Sequence, residues 1–241
     1  MSSTICFDFG NTRLKYAVFK DGSLQTTAIM ENDNPSTIEK ILHEYKPAKT
    51  LLSSVINHNE EAISILSKYS RFHLLTYNSK LPFTTPVGKP ETIGADRLAL
   101  AAASVHLFPN QHNLVIGSGS CITFNFINKF HEFLGGSISP GMEMRFKAMN
   151  HFTAKLPYVQ PDAVFPLIGY DTKTNLISGV VNGITAEING LIELYGERYS
   201  NFNVLLTGGD LSFFVPHLKK KIFADPELIF KGLYAISETN E

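Results

Sequence analysis

Asp8, Gly10, Asn11 and Thr12 form the stretch of this chain best suited to chemistry. The run before them, Thr4 to Phe7, is β-branched or apolar and reads as a buried strand that ends at the aspartate. Gly10 and Asn11 both tolerate φ > 0, a conformation that turns backbone N–H groups into a concave nest. N–H donors and hydroxyls suit phosphate oxygens, and a carboxylate beside them suits Mg²⁺, held directly or through water. An ordinary Asp-Gly hairpin turn fits the same residues. A second candidate is Gly94-Ala95-Asp96-Arg97, where a Pro-, Thr-, Gly- and Lys-rich loop, Asn78 to Pro90, gives way to an Ala- and Leu-rich helix, Ala95 to His106. Adjacent helical side chains diverge by about 100°, so Asp96 and Arg97 address different groups. Either both face a substrate, or Asp96 caps the helix while Arg97 pairs with a surface acid.

Two more turns fall at strand ends. Gly117-Ser118-Gly119-Ser120 lies between the apolar runs Asn113 to Ile116 and Cys121 to Ile127, which repeats the strand, small-residue turn and strand of the opening. Two such turns facing each other would clamp a triphosphate, while a plain flexible hairpin fits as well. The repeat is imperfect, because Gly117 stands where Asp8 stood. Thr207-Gly208-Gly209-Asp210 ends a strand at Asn203 to Leu206, and a glycine pair there lets a flat ring or a phosphate lie against the backbone.

The elements that must position these turns follow from periodicity. Leu14 to Phe19 and Leu24 to Met30 read as strands, Thr37 to Glu44 as a helix, Thr50 to Ile56 as a strand, Asn59 to Tyr69 as a helix and Phe72 to Leu75 as a strand. This β-β-β-α-β-α-β order is that of one half of an actin-like ATPase fold. A second half begins near Gln111. Phe133 to Gly141 reads as a glycine-rich bend, and Met142 to Met149 as a helix. Asn150 to Thr174, with Pro157, Pro161 and Pro166, reads as loop. Asn175 to Tyr195 is the longest helical pattern, interrupted by Gly179, Gly183 and Gly190. Each glycine costs a helix about 1 kcal/mol relative to Ala, so another backbone is expected to approach there, from the core or from a dimer partner. Pro226 to Ile236 is the last helical segment.

With 44% hydrophobic and 18% charged residues the chain can bury a core and is not disordered. Its 241 residues suit two domains of roughly 110–130 residues. A formal net charge of −1 gives no electrostatic grip on nucleic acid or an anionic membrane. The three lysines of Lys219 to Lys221 read as solvated surface. The two cysteines, Cys6 and Cys121, lie in apolar runs and read as buried hydrophobes of a reducing compartment. With no secretory signal pattern and no long apolar run, the expected location is the cytoplasm.

Taken in order, Asp8 to Thr12, Gly94 to Arg97, Gly117 to Thr123, Gly135 to Gly141, Thr172 to Gly179 and Thr207 to Asp210 resemble the motifs of type III pantothenate kinase, a family of the acetate and sugar kinase/Hsp70/actin superfamily. The resemblance implies an α/β protein of two similar actin-like ATPase (ribonuclease H-like) domains, 1–110 and 111–241, each with a mixed five-stranded sheet and flanking helices. It implies ATP-dependent phosphorylation of the primary hydroxyl of pantothenate, the first step of coenzyme A synthesis. Asp96 would then be the general base. Asp8 would handle Mg²⁺ and phosphate, with Gly10, Asn11, Thr12 and Lys15 in the first phosphate loop. Gly119, Ser120 and Thr123 would line the second loop, and Gly208 and Gly209 the nucleotide edge. Gly94, Ala95, Asp96 and Arg97 would contact pantothenate, and Thr172 would reach it from the partner subunit of a homodimer. ATP, Mg²⁺ and a monovalent cation such as K⁺ or NH₄⁺ are the implied cofactors. Arg97 is expected to hold Asp96 ionised.

The chain departs from the family pattern in four places. Gly117 replaces an acidic residue that opens the second loop, Ser120 takes the Thr place of that loop, Asn125 a later position that is often Asp, and Val87 the place of an aromatic residue before the Gly-x-Asp-Arg motif. Lost carboxylates put the cation dependence in question. A non-catalytic regulatory relative and a kinase of another small hydroxylated substrate are the alternative readings.

Overall fold

The computed structural model describes residues 3–162 and 165–240. Two compact units divide it: residues 3–110, 127–134 and 227–240 form the first, and residues 111–126 and 135–226 the second.

The first unit is built on β1 (Ser3–Phe9), β2 (Leu14–Lys20) and β3 (Ser23–Met30), an antiparallel meander. On the other side of β1, β4 (Lys49–Ser54) and β5 (Arg71–Leu74) add in parallel, giving the order β3-β2-β1-β4-β5. β1 is thus the central strand, which explains its near-continuous apolar run. The crossovers are α1 (Pro35–Tyr45) and α2 (Glu60–Tyr69). Pro35 starts α1 and needs no N–H there, and Ile38, Ile41 and Leu42 bury one stripe. Asn59 caps α2 by accepting the Glu61 amide at 2.9 Å. These helices close over Ile5, Phe7, Phe9, Val18 and Leu52.

In the second unit the sheet order is β10-β9-β6-β7-β8. Its strands are β6 (His112–Ser118), β7 (Cys121–Ile127), β8 (Phe133–Pro140), β9 (Phe202–Thr207) and β10 (Phe223–Ala224). The helices are α4 (Met142–Phe152), α5 (Thr172–Arg198) and the single turn α6 (Leu211–Phe214). Ile177, Val181, Ile184 and Ile188 of α5 are buried against Leu114, Phe124 and Leu206. Both units are therefore α/β with mixed five-stranded sheets, the architecture of actin-like ATPases.

Several expectations change. The last helix, α7 (Leu228–Thr239), does not join the second half; it belongs to the first unit with α3 (Ala95–Leu107). The alanine-rich face of α3 and Gly232 allow the two backbones to meet. A Cβ at Gly232 would lie 1.8 Å from the Ala99 carbonyl oxygen. Tyr234 also stacks on Phe19, with ring centroids 4.4 Å apart. Of the expected bend from Phe133 to Gly141, Phe133–Pro140 is strand, because sheet pairing overrides the weak β-propensity of glycine, and Gly141 is the N-cap of α4. The long helix starts at Thr172, fixed by a capping box between Asp171 and Thr174. Apart from the helix's own neighbouring backbone, no described atom lies within 4 Å of a Cβ built on Gly179, Gly183 or Gly190, so among the described residues no other backbone approaches them. Within the proline-containing stretch from Asn150 to Thr174, residues 163 and 164 lie outside the described residues. Cys6 and Cys121 are free thiols, and burial pushes the Cys6 thiol far up. Among the described residues no helix is long and apolar enough to cross a membrane.

Candidate active site

In the first unit the chemistry gathers at one end of β1. Asp8 is buried, opposite Lys15 in the β1–β2 register and level with Ser53 on β4. Burial pushes its carboxyl up to about 7; Lys15 opposes the shift and Asp96 adds to it. The turn after Asp8 differs from the expected nest. Neither Gly10 nor Asn11 has positive φ, and the Gly10 amide donates to the Arg13 carbonyl at 3.1 Å. Asn11 and Thr12 are exposed at its tip, and Lys15 is half-buried. Ser53 was not singled out by sequence reasoning. Its hydroxyl is fully buried and has no hydrogen-bond partner among the described residues. The sequence held no signal for it, since the register of β4 against β1 shows only in the fold.

A buried carboxylate whose charge is disfavoured, beside an unpartnered hydroxyl, is a site that gains from a cation and its ligands. Asp8 and its surroundings therefore fit Mg²⁺. When bound, such an ion supplies charge neutralisation for phosphate oxygens.

Gly94 to Arg97 open α3. Asp96 is half-buried near the helix start. A Cβ on Gly94 would lie 2.5 Å from an Asp96 carboxylate oxygen, so the missing side chain is what clears that carboxylate. Asp96 does not cap the helix, whose N-cap is Gly94 with no side-chain cap bond, although the backbone amides of Arg97 and of Asp96 itself donate to its carboxylate. The Arg97 charge favours the ionised Asp96 carboxyl but does not outweigh burial. Burial raises the Asp96 carboxyl, and the Arg97 amide and then the Arg97 charge only oppose that. The Arg97 guanidinium lies 5.5 Å from the centre of the Phe133 ring, a cation–π contact, and Phe83 packs on Phe133 at 6.2 Å. This aromatic wall was also missed in the sequence. It exists because the proline-rich loop pairs at Thr84 with Glu132, tying Phe83 beside Phe133. Val87, the departure from the family's aromatic, is half-buried in the same loop. Ala95 is buried in the helix start.

In the second unit, Gly119 and Ser120 form the tip of the β6–β7 hairpin, closed by the Gly119 amide donating to the Cys121 carbonyl at 3.1 Å. Two glycines grip it. Gly208, at φ +113°, would place a Cβ 1.9 Å from the Ser118 carbonyl oxygen. Gly141 would place one 2.0 Å from the Gly119 carbonyl oxygen, and its amide donates to the Ser120 carbonyl at 3.1 Å. Gly209 is exposed with open space around it. Thr123 is buried on β7, and its hydroxyl accepts from the Asn125 side-chain amide at 3.1 Å. The same amide donates to the Val115 carbonyl at 3.2 Å. That contact explains the departure at Asn125, since an ionised Asp would set a charge against a carbonyl. Thr172 is exposed at the first turn of α5, beside a shallow groove lined by Met149, Leu156, Leu176 and Gly179. Among the described residues no group of three or more His, Cys, Asp or Glu is placed to hold a metal.

Residues 4–194 match the profile of the type III pantothenate kinase family. The chain belongs to that family. It is 41% identical to a type III pantothenate kinase of Cytophaga hutchinsonii over 98% of its own length and 99% of the relative's. It is 38% identical to one of Flavobacterium johnsoniae over 94% and 93% of the two chains. Among solved structures, a Campylobacter jejuni protein named for the Baf family of transcriptional activators superposes with a TM-score of 0.63, covering 98% of each chain at 24% identity. At that identity the likeness speaks for the fold alone. Members of the type III pantothenate kinase family are kinases that use ATP and pantothenate in coenzyme A synthesis.

Proposed function

We propose that this chain transfers the γ-phosphoryl group of ATP to the primary hydroxyl of pantothenate, with Asp96 as general base. The observation that carries the reading is the Asp96 carboxylate: half-buried at the start of α3, cleared by Gly94 and raised in proton affinity by burial. A raised carboxyl takes up a hydroxyl proton more readily than an exposed one. As the proton passes to Asp96, the hydroxyl oxygen bonds to the γ-phosphorus. The bond from that phosphorus to the β–γ bridging oxygen breaks in line, and its electron pair leaves with ADP.

The other roles follow from charge and position. Asp8 holds Mg²⁺, and Lys15 faces the phosphates beside it. Gly10, Asn11 and Thr12 line the first phosphate loop, and Gly119, Ser120 and Thr123 the second. Gly208 and Gly209 border the nucleotide. Gly94, Ala95 and Arg97 contact pantothenate, and Arg97, steadied over Phe133, meets its anionic end. A homodimer is part of the proposal, with the partner subunit's Thr172 completing the pantothenate site. Leu167, Ile168 and Tyr170, each about four-fifths exposed just before α5, support a covered face there.

A monovalent cation fits less well. Gly117 has no side chain, and the Asn125 amide is committed to Val115 and Thr123, so the second loop offers such an ion no carboxylate.

The test is ADP release by the purified protein with ATP and Mg²⁺, with and without pantothenate. Release that requires pantothenate and yields 4′-phosphopantothenate supports the reading. Release without it, or none from folded protein, overturns it.

A further inference from the structure

The second phosphate loop is made of residues with little stiffness of their own. Gly117, Gly119 and the serines between and after them give the backbone many conformations to lose. A Cβ built on Gly119 would meet no described atom within 4 Å, so no close packing fixes that side of the tip. The backbone grips come from Gly208 on one side and from Gly141 on the other. Gly208 directly follows β9, an interior strand of the sheet. Gly141 sits at the corner between β8 and α4, next to exposed Pro140.

That corner is itself pinned by side chains outside the loop. Glu187, in the middle of α5, accepts hydrogen bonds from the Ser139 hydroxyl with one carboxylate oxygen and from Arg145 Nη2 with the other. Arg145 also donates from Nε to the Pro140 carbonyl at 2.9 Å, and its backbone amide donates to the Gly141 carbonyl at 3.0 Å. Glu187 thus fixes residues on both sides of the Gly141 contact with the loop. Both charged side chains are about three-quarters shielded from solvent, so the pair is less screened than a surface bridge.

We propose that Glu187 is a positioning residue for the nucleotide, acting through Ser139 and Arg145 on Gly141 and so on the Gly119–Ser120 tip. The inference rests on the reading that this tip holds ATP phosphates. With the pin in place the loop is ordered before nucleotide arrives, and binding does not have to supply that ordering.

The test is steady-state kinetics of Glu187→Ala, Arg145→Ala and the double variant, with melting temperatures alongside. Each single variant is expected to raise KM for ATP about tenfold, with KM for pantothenate within twofold. The double variant is expected to be no worse than the worse single one, because both act through one contact. KM for ATP within twofold of wild type, or equal rises in both KM values, overturns the proposal whatever the melting temperature does. If the alanine variants do not fold, Glu187→Gln decides by the same criteria, since it retains an acceptor for Ser139 and loses the ion pair. If wild type shows no pantothenate-dependent turnover, the functional reading fails by itself. Calorimetric titration of wild type and Glu187→Gln with a non-hydrolysable ATP analogue then decides the positioning role: weaker binding to the variant supports it, and equal binding overturns it.

Discussion

The two turns proposed to hold phosphate are built on opposite principles. The first carries charge: Asp8 is buried at the end of β1 with Lys15 opposite and a tight turn after it. The second carries no charge and is defined by shape, with Gly208 and Gly141 pressing on the Ser118 to Ser120 backbone. They share one feature, a buried serine hydroxyl without a partner among the described residues, Ser53 beside Asp8 and Ser118 in the second turn. The difference teaches that strand-turn-strand similarity does not imply similar chemistry. On the proposed function, one loop neutralises and orients through a carboxylate and its cation, and the other through backbone placed by close packing.

The comparison is broken most severely at its charged end. Asp8→Asn is expected to lower kcat/KM for Mg-ATP roughly a hundredfold or more, measured by ADP release over a Mg²⁺ titration. Activity near wild type would mean that the first loop does not work by charge. At the shaped end, Gly208→Ala forces a Cβ into the Ser118 carbonyl from a left-handed backbone. It is expected to cost about 1–3 kcal/mol of stability and to raise KM for ATP more than KM for pantothenate. Denaturant unfolding and kinetics check the two parts.

How much of this was legible in the sequence depends on what kind of contact was involved. Local signals carried far: the β1 to β5 order, the hairpin at Gly119 and the start of α3 at Ala95 follow from periodicity and turn residues. Motif order added the family, and with it the roles proposed for Asp8, Asp96 and Arg97. What was not legible depends on distant pairing. The return of α7 to α3 depends on Gly232 meeting Ala99, more than a hundred residues apart in the chain. The aromatic wall behind Arg97 needs Phe83 and Phe133 brought together by one bridge at Thr84. The amide at Asn125 looked like a loss of charge, and only the Val115 carbonyl shows why a donor is needed. Burial, not the neighbouring Arg97, sets the direction for Asp96, and burial is a property of the fold.

A gentler probe of the charged loop is pH. Asp8 takes up a proton at about 7 in the folded chain, against an ordinary value of 3.8. The folded state therefore binds more protons than the unfolded state between those values, and stability falls as pH rises from about 4 to about 7. Asp96 pulls in the same direction. Asp8→Asn is expected to flatten the slope of melting temperature against pH in the absence of Mg²⁺ and nucleotide. An unchanged slope would show that burial of Asp8 carries no such cost. The smallest effect is expected at the uncharged loop. Turnover in K⁺, NH₄⁺ and Na⁺ should agree within about twofold, since the loop supplies no carboxylate for an ion. A strong preference for K⁺ or NH₄⁺ would place that ion on other oxygens.

The central claim is that Asp96 receives the proton of the pantothenate hydroxyl. Its most direct test is kcat of Asp96→Asn beside wild type at saturating ATP, Mg²⁺ and pantothenate, with nucleotide binding measured on the same preparations. The account requires kcat to fall about 10²–10⁴-fold while ATP binding stays within a few-fold. A variant that binds ATP and turns over pantothenate at the wild-type rate would contradict it.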